Sequence, residues 1–159
     1  MYKTNFDRMI KLAEKFFETK KDPSQISINE ETMKQLREIH PNTLTEKKNK
    51  DGPIAWVTVF PTTKNLMKQF ITKKINEREL LDLTPRKREY DAIYLCSALV
   101  LPEYRGKGLA KSLTVKAIKS IMKQHAINFL FFWAFSDEGK KLAASVAEEI
   151  NLPLYKRKA

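Results

Sequence analysis

The chain has 159 residues, 42% of them hydrophobic and 31% charged, with a formal net charge of +11. That length is one domain, which buries about 70% of its unfolded surface, so a core forms without staples and the composition excludes a disordered chain. The single cysteine, Cys96, excludes an intramolecular disulfide, and the longest apolar stretch, residues 127–135 broken by Asn128, is far short of the roughly 20 residues of a membrane helix.

No basic segment precedes an apolar core at the start, so nothing directs export, and the expected compartment is the cytoplasm. The positive charge implies a partner with negative charge, either nucleic acid or a phosphate-bearing cofactor. The lysines are spread along the chain and are not interleaved with aromatics, which favours a solvated basic surface over a nucleic-acid face. Neither nucleic acid nor membrane is an expected partner.

Phe6, Met9, Ile10, Ala13, Phe16 and Phe17 recur at helical spacing after Thr4 and Asn5, either of which can cap the start. A second helix is predicted from Asn29 through Met33, Leu36 and Ile39, ended by His40-Pro41. Residues 42–52 read as a polar loop, and Asp51-Gly52-Pro53 as a turn before a strand at residues 54–60. Pro61-Thr62-Thr63 opens a helix with Leu66, Phe70, Ile71 and Ile75 on one face, fading near Leu83; residues 84–89 form a basic loop.

Residues 92–101 are apolar at alternate positions on both faces, as in a central strand covered on both sides. Leu109, Leu113, Ala117 and Ile121 mark a long helix, residues 127–135 a second buried strand, and Leu142, Val146 and Ile150 a closing helix. This alternation implies parallel strands with right-handed crossovers, an α/β unit.

Arg105-Gly106-Lys107-Gly108 follows the first buried strand and opens the long helix, where backbone N–H groups lack partners and the helix dipole is positive. Glycines 106 and 108 allow phosphate oxygens close to the backbone, while Arg105, Lys107 and Lys111 add positive charge. A dinucleotide fingerprint would need a third glycine where Lys111 stands, and a P-loop would need glycines where Arg105 and Ala110 stand. The pattern that fits is Arg/Gln-x-x-Gly-x-Gly/Ala, here Arg105, Gly108 and Ala110, preceded by Val100-Leu101-Pro102-Glu103-Tyr104.

This pattern resembles the acetyl-CoA signature of the GNAT superfamily of N-acetyltransferases, specifically over residues 99–110 and in architecture over about residues 92–152. The resemblance implies an α/β fold with a GNAT-like mixed sheet flanked by helices and a truncated C-terminal end. It implies one domain over 1–159, with a helical part at 1–50 and a coenzyme-binding core at 91–152. The coenzyme would lie where two parallel strands splay apart, its pyrophosphate on Arg105, Gly106, Lys107, Gly108, Leu109, Ala110 and Lys111. Its pantetheine arm would bond the backbone of Leu99, Val100 and Leu101, with Ser136, a predicted helix cap, touching it as well.

Aminolysis of a thioester needs a deprotonated nitrogen, a donor for the developing oxyanion and a proton for the leaving thiolate. The arm spans about five strand residues at about 3.3 Å each, which sets the thioester near Ser97, Ala98 and Leu99. No carboxylate lies nearby on that strand, so a base acting through water is expected. The tyrosine acid of many family members would fall at Ala147 on the closing helix, and the candidate substitutes are Ser97, Tyr94 and Tyr155. Cys96 reads as core. His40 and His125 read as a turn residue and a helix terminus, and no metal-ligand spacing exists.

The resemblance therefore implies an acetyl-CoA-dependent N-acetyltransferase acting without metal on a small-molecule or peptide amine. The rivals are a non-catalytic acyl-CoA-binding module and a nucleic-acid-binding protein. After Ile150 the chain leaves room for one short strand at Leu152-Pro153-Leu154-Tyr155, so a homodimer is expected to cover the edge.

Overall fold

The computed structural model describes residues 4–17, 22–27, 29–86, 88–133 and 136–158. Helix α1, Asn5–Phe17, is capped by Thr4, whose hydroxyl accepts from the Asp7 N–H at 3.1 Å. The neighbouring Asn5 is buried and donates to Asn49 Oδ1 at 3.2 Å. The side chains of Phe16 and Phe17, which the helical spacing also invoked, lie outside the described residues. Helix α2, Glu30–Ile39, starts with a capping box between Asn29 and Thr32 and stops at His40 before Pro41.

Residues 44–49 are not loop. Leu44–Asn49 is strand β1, paired antiparallel with β2, Gly52–Thr62, so that Asp51-Gly52 closes a hairpin. Its polar composition hid it, because β1 is an edge strand whose Glu46, Lys47 and Lys48 are exposed and need no apolar alternation. The single helix predicted from Thr63 is two, α3, Lys64–Ile71, and α4, Glu77–Leu83. Lys73 turns left-handed at φ 65°, and Asn76 caps a new start with Glu79 completing the box. The apolar spacing crosses this break without a gap, which is why it reads as continuous.

Strand β3, Ala92–Val100, is followed by helix α5, Leu109–Met122, strand β4, Phe129–Trp133, helix α6, Asp137–Ile150, and strand β5, Leu154–Arg157. Ala134 and Phe135, predicted to continue β4, lie outside the described residues. The sheet order is β1-β2-β3-β4-β5, antiparallel across β1, β2 and β3 and parallel across β3, β4 and β5, the mixed α/β sheet expected.

Phe60, Tyr94 and Phe131 stand side by side in register across β2, β3 and β4. Phe70 of α3 covers them, with ring centroids 5.0 Å from Tyr94 and 6.0 Å from Phe131. Such edge-to-face pairs add about 0.5–1.5 kcal/mol each beyond burial. Alternation turns Val57, Val59, Ile93 and Leu130 to the other face, where they share a buried cluster with Val115, Ile118 and Ile121 of α5 and Val146 of α6. Arg157 of β5 ties the first face together, donating to the carbonyls of Phe70 at 2.9 Å and Ile75 at 2.6 Å. No described helix is long and apolar enough to cross a membrane.

His40 is buried where α2 ends, its Nε2 2.7 Å from Gln124 Oε1 and its Nδ1 accepting the Asn42 N–H at 3.0 Å. Protonation would place a hydrogen on Nδ1 against that N–H. Burial, helped by His125, lowers the pKa of His40 below the ordinary 6.5. Its neutral form therefore adds stability that is complete above about pH 6.5 and is lost as pH falls from there through the lowered folded value. Urea unfolding at about pH 7.5 and about pH 5 should show a loss of stability on acidification that is smaller in His40→Gln than in wild type.

Candidate functional site

The parallel pairing of β3 with β4 ends at Leu95↔Phe132, although β3 runs on to Val100. Past Leu95 its inner side has no strand beside it. A bulge falls at the same point, since Thr58 pairs with Ser97 and Val59 with Leu95, leaving Cys96 as the extra residue. The gap between the diverging strands is a cleft of about 660 Å³, walled by residues 95–100 of β3, by Phe132 and Trp133 of β4, and by the starts of α5 and α6. The burial of β3 on both faces thus holds for Ala92, Ile93 and Tyr94, while residues 95–98 are partly exposed to the cleft.

Leu101 donates its N–H to Ile54 O at 2.9 Å, toward β2. By alternation the peptide groups of Val100 face the cleft. There the Val100 carbonyl accepts from Arg105 Nε at 3.0 Å, which folds the Arg105 side chain back along the strand. A 3-10 turn, Pro102–Tyr104, then carries the chain to Gly106 at φ 79° and Gly108 at φ 76°. Among the described residues, and leaving aside each glycine's chain neighbours, no atom lies within 4 Å of where a Cβ would stand at either glycine. The bare backbone is therefore open on that side, and a side chain at either position would be both strained and in the way.

Gly108 is the N-cap of α5 and, having no side chain, gives the first amides of the helix no cap bond. Those N–H groups and the positive helix end look onto the cleft, an arrangement suited to an anion. Lys107 Nζ lies 5.6 Å from the centre of the Tyr104 ring, and Lys111 Nζ is 3.6 Å from Glu149 of α6. Across the cleft Ser136 caps α6, accepting the Gly139 N–H at 3.0 Å.

The loop is braced from outside. Arg8 of α1 forms a bidentate pair with Glu103 at 2.7 and 2.9 Å, and Asn49 of β1 donates to the Tyr104 hydroxyl at 2.8 Å. Met9 and Ala13 of α1 pack on Leu99 and Leu101, with Tyr104 and Leu109 against the same cluster. The helix that sequence periodicity shows only as a packed element thus supports the strand end and the glycine loop.

Beneath the inner end of the cleft is a buried polar group that sequence reasoning missed. Glu77, the first residue of α4, accepts the Tyr94 O–H at 2.5 Å and the Ile26 N–H at 2.7 Å, and the Cys96 thiol lies 3.9 Å from its Oε2. Burial raises the pKa of Glu77 above the usual carboxylate value, and burial together with the Glu77 charge pushes Tyr94 and Cys96 well up. In an amphipathic run opened by Asn76, a glutamate reads as solvent-facing. The capping box of Asn76 and Glu79 marks a helix start there, but no sequence signal shows that Glu77 turns inward.

Of the catalytic candidates, Ser97 lines the cleft, while Tyr94 is fully buried behind it. Tyr155 is 39% exposed on β5, its ring 5.9 Å from that of Phe129, and does not line the cleft. Ala147 is core, as an alanine there must be, and the helix ends at left-handed Asn151. No group of three or more metal-ligating side chains occurs among the described residues.

The model of the Acetyltransferase (GNAT) family matches residues 7–146. The chain belongs to the GNAT acetyltransferase family. Among solved structures, the GNAT chain is similar to an aminoglycoside acetyltransferase from an uncultured soil metagenomic sample, crystallised with trehalose. The TM-score is 0.51 at 13% identity, over 89% of this chain and 78% of that one, a likeness of fold. No curated protein matches this GNAT domain.

Pairing with Arg8 holds the Glu103 carboxyl down at about 2. In Arg8→Gln, carboxyl titration followed by NMR should return Glu103 toward the ordinary value of about 4.3. An unchanged low value would show that the helix is not what holds this corner of the loop.

Proposed function

We propose that the chain transfers an acetyl group from acetyl-CoA to an amine of a small molecule or peptide. The observation that carries this is the coincidence of two openings. β3 and β4 part after Leu95, and the parting faces the start of α5, where the N-cap residue is a glycine that supplies no cap bond. A cleft with an unpaired strand edge at one end and an anion site at the other suits a long ligand with a polar arm and a pyrophosphate. The open space over Gly106 and Gly108 fits that ligand's phosphates.

In this reading residues 105–111 hold the pyrophosphate, chiefly through the amides that begin α5, with Arg105 and Lys111 adding charge. Val100 supplies the backbone contacts to the arm. Leu99 and Leu101, packed under α1, fix that stretch of β3 in place, and Ser136 borders the opposite side. The Arg105 side chain must leave the Val100 carbonyl as the arm arrives, so ligand and side chain exchange one hydrogen bond.

At the thioester end the wall is apolar, with Leu95, Phe132 and Trp133 excluding water around Ser97 and Ala98. Amide donors of β3 can hold the charge that develops on the carbonyl oxygen. The cleft wall carries one carboxylate among the described residues, Glu138 in the first turn of α6, where it complements the positive helix end. A base acting through water then takes the proton of the acceptor nitrogen. The buried alanine at 147 favours a second reading, an acyl-CoA-binding module without catalysis. Thiol release from acetyl-CoA with a panel of amines separates the two.

Coenzyme A should raise the melting temperature of wild type, since a ligand at a hundredfold excess over its Kd adds about 2.7 kcal/mol to the native state. Gly108→Glu should abolish that shift through bulk and repulsive charge, and lower intrinsic stability by about 1–2 kcal/mol for a left-handed non-glycine residue. Lys107→Ala should weaken binding only modestly. A wild type that no acyl-CoA stabilises, or a Gly108→Glu protein that binds normally, would remove the assignment.

A further inference from the structure

The cleft closes where β3 and β4 begin to pair, and the residue standing at that closing is held from outside the cleft. Phe132 is the last residue of β4 paired with β3, opposite Leu95, and Trp133 is the first beyond it. On its other side Trp133 stays paired, in register with Arg157 of β5. Phe132 and Trp133 both line the cleft, and alternation turns them to opposite faces of the sheet, so they border its end from two sides. Resting on the coenzyme reading above, an arm of about five strand residues, at about 3.3 Å each, runs back from the glycine loop along β3 to this end. The carbons of an acyl group continue past the coenzyme sulfur and meet these rings.

We propose that Arg157 fixes the Trp133 ring as a stop that limits the donor to short acyl groups, acetyl above all. The guanidinium carbon of Arg157 lies 4.9 Å from the centre of the Trp133 ring and 4.4 Å from that of Phe70. The two rings are themselves 6.2 Å apart, at 82° to each other. A flat, weakly hydrated guanidinium is suited to lie against aromatic faces in this way. Its Nη1 donates to the carbonyls of Phe70 at 2.9 Å and Ile75 at 2.6 Å, on either side of the turn between α3 and α4. The indole at the end of the cleft is thereby tied, through one side chain, to the close of α3.

A second feature shows what sets the position of this guanidinium. Arg157 Nε is buried with no hydrogen-bond partner among the described residues. Buried donors are nearly always satisfied, so an orphaned one marks a group held by its other contacts, here two rings and two carbonyls. Arg157 does not itself line the cleft. It acts through Trp133 and is a positioning residue. Lysine in its place would keep the charge and donors for the carbonyls, but an ammonium cannot lie flat against two rings. The indole would then be free to turn, and the stop would recede.

Calorimetric binding of coenzyme A, acetyl-CoA and butyryl-CoA tests this without knowledge of the acceptor. Wild type should bind acetyl-CoA about tenfold or more tightly than butyryl-CoA, since a single methylene already changes the affinity of a shaped pocket by that much. In Trp133→Ala and in Arg157→Lys the two should come within about twofold of each other, while coenzyme A, which has no acyl group, binds as in wild type. Arg157→Met, which fills the space without a charge, should shift the ratio the same way and guards against a lysine variant that does not fold. The chain has two tryptophans, Trp56 and Trp133, so fluorine NMR of fluorotryptophan-labelled protein gives the ring its own resonance, assigned by Trp133→Phe. That resonance should shift or broaden in Arg157→Lys. A merely structural role for Arg157 would lower stability and leave the acyl ratio unmoved. A folded Arg157 variant that keeps the wild-type ratio, or a wild type that binds acetyl-CoA and butyryl-CoA equally, overturns the proposal. A wild type that binds none of the three ligands overturns the coenzyme reading itself.

Discussion

The site depends on a pairing that stops. β3 and β4 share only the register Ala92↔Phe129 to Leu95↔Phe132, and every later residue of β3 has one strand neighbour, β2, instead of two. Unpaired peptide groups inside a protein are costly, so such an edge persists only where water or a ligand reaches it. Here the edge faces a cleft. Between Thr58 and Val59 the bulge at Cys96 falls just where β4 is lost. It kinks β3 at the apex and re-aims the side chains beyond it.

Two supports keep this edge from collapsing. On one side α1 packs Met9 and Ala13 against Leu99 and Leu101, and its Arg8 holds Glu103. Toward the other end, Phe70 and Arg157 cover the paired half of the strands, the guanidinium lying 4.4 Å from the Phe70 ring centre and 4.9 Å from that of Trp133. The elements that carry no cleft residue thus decide the shape of the cleft. The two halves of the wall differ accordingly: glycines, cations and helix amides at the α5 end, apolar and aromatic side chains of Leu95, Phe132 and Trp133 at the apex.

Much of this was legible in the sequence because the responsible signals are local. Gly106 and Gly108 beside cations announce a left-handed loop at a helix start, and both glycines do have positive φ. The apolar runs of β3 and β4 and the 3.6-residue spacing of α5 and α6 follow from burial on a parallel sheet. β1 was not legible, since an edge strand with exposed Glu46, Lys47 and Lys48 has no apolar face to show. The α3–α4 break was masked because Ile75 continues the spacing across it, although Asn76 and Glu79 spell a capping box. Glu77 and its partners were beyond reach for a different reason: Ile26, Glu77, Tyr94 and Cys96 meet only through tertiary packing, and nothing near any one of them in sequence points to the others. The bracing pair Arg8 and Glu103, 95 residues apart, belongs to the same class.

The central claim is that the unpaired edge of β3 and the uncapped start of α5 bind one ligand together. Backbone amide NMR during titration with coenzyme A tests it most directly. The account predicts that the amides of Val100, Gly106, Gly108, Leu109 and Ala110 shift together along a single saturable curve, while those of β1 and α2 stay in place. Shifts confined to the lysine-rich surface, or movement of the α5 amides without Val100, would contradict it.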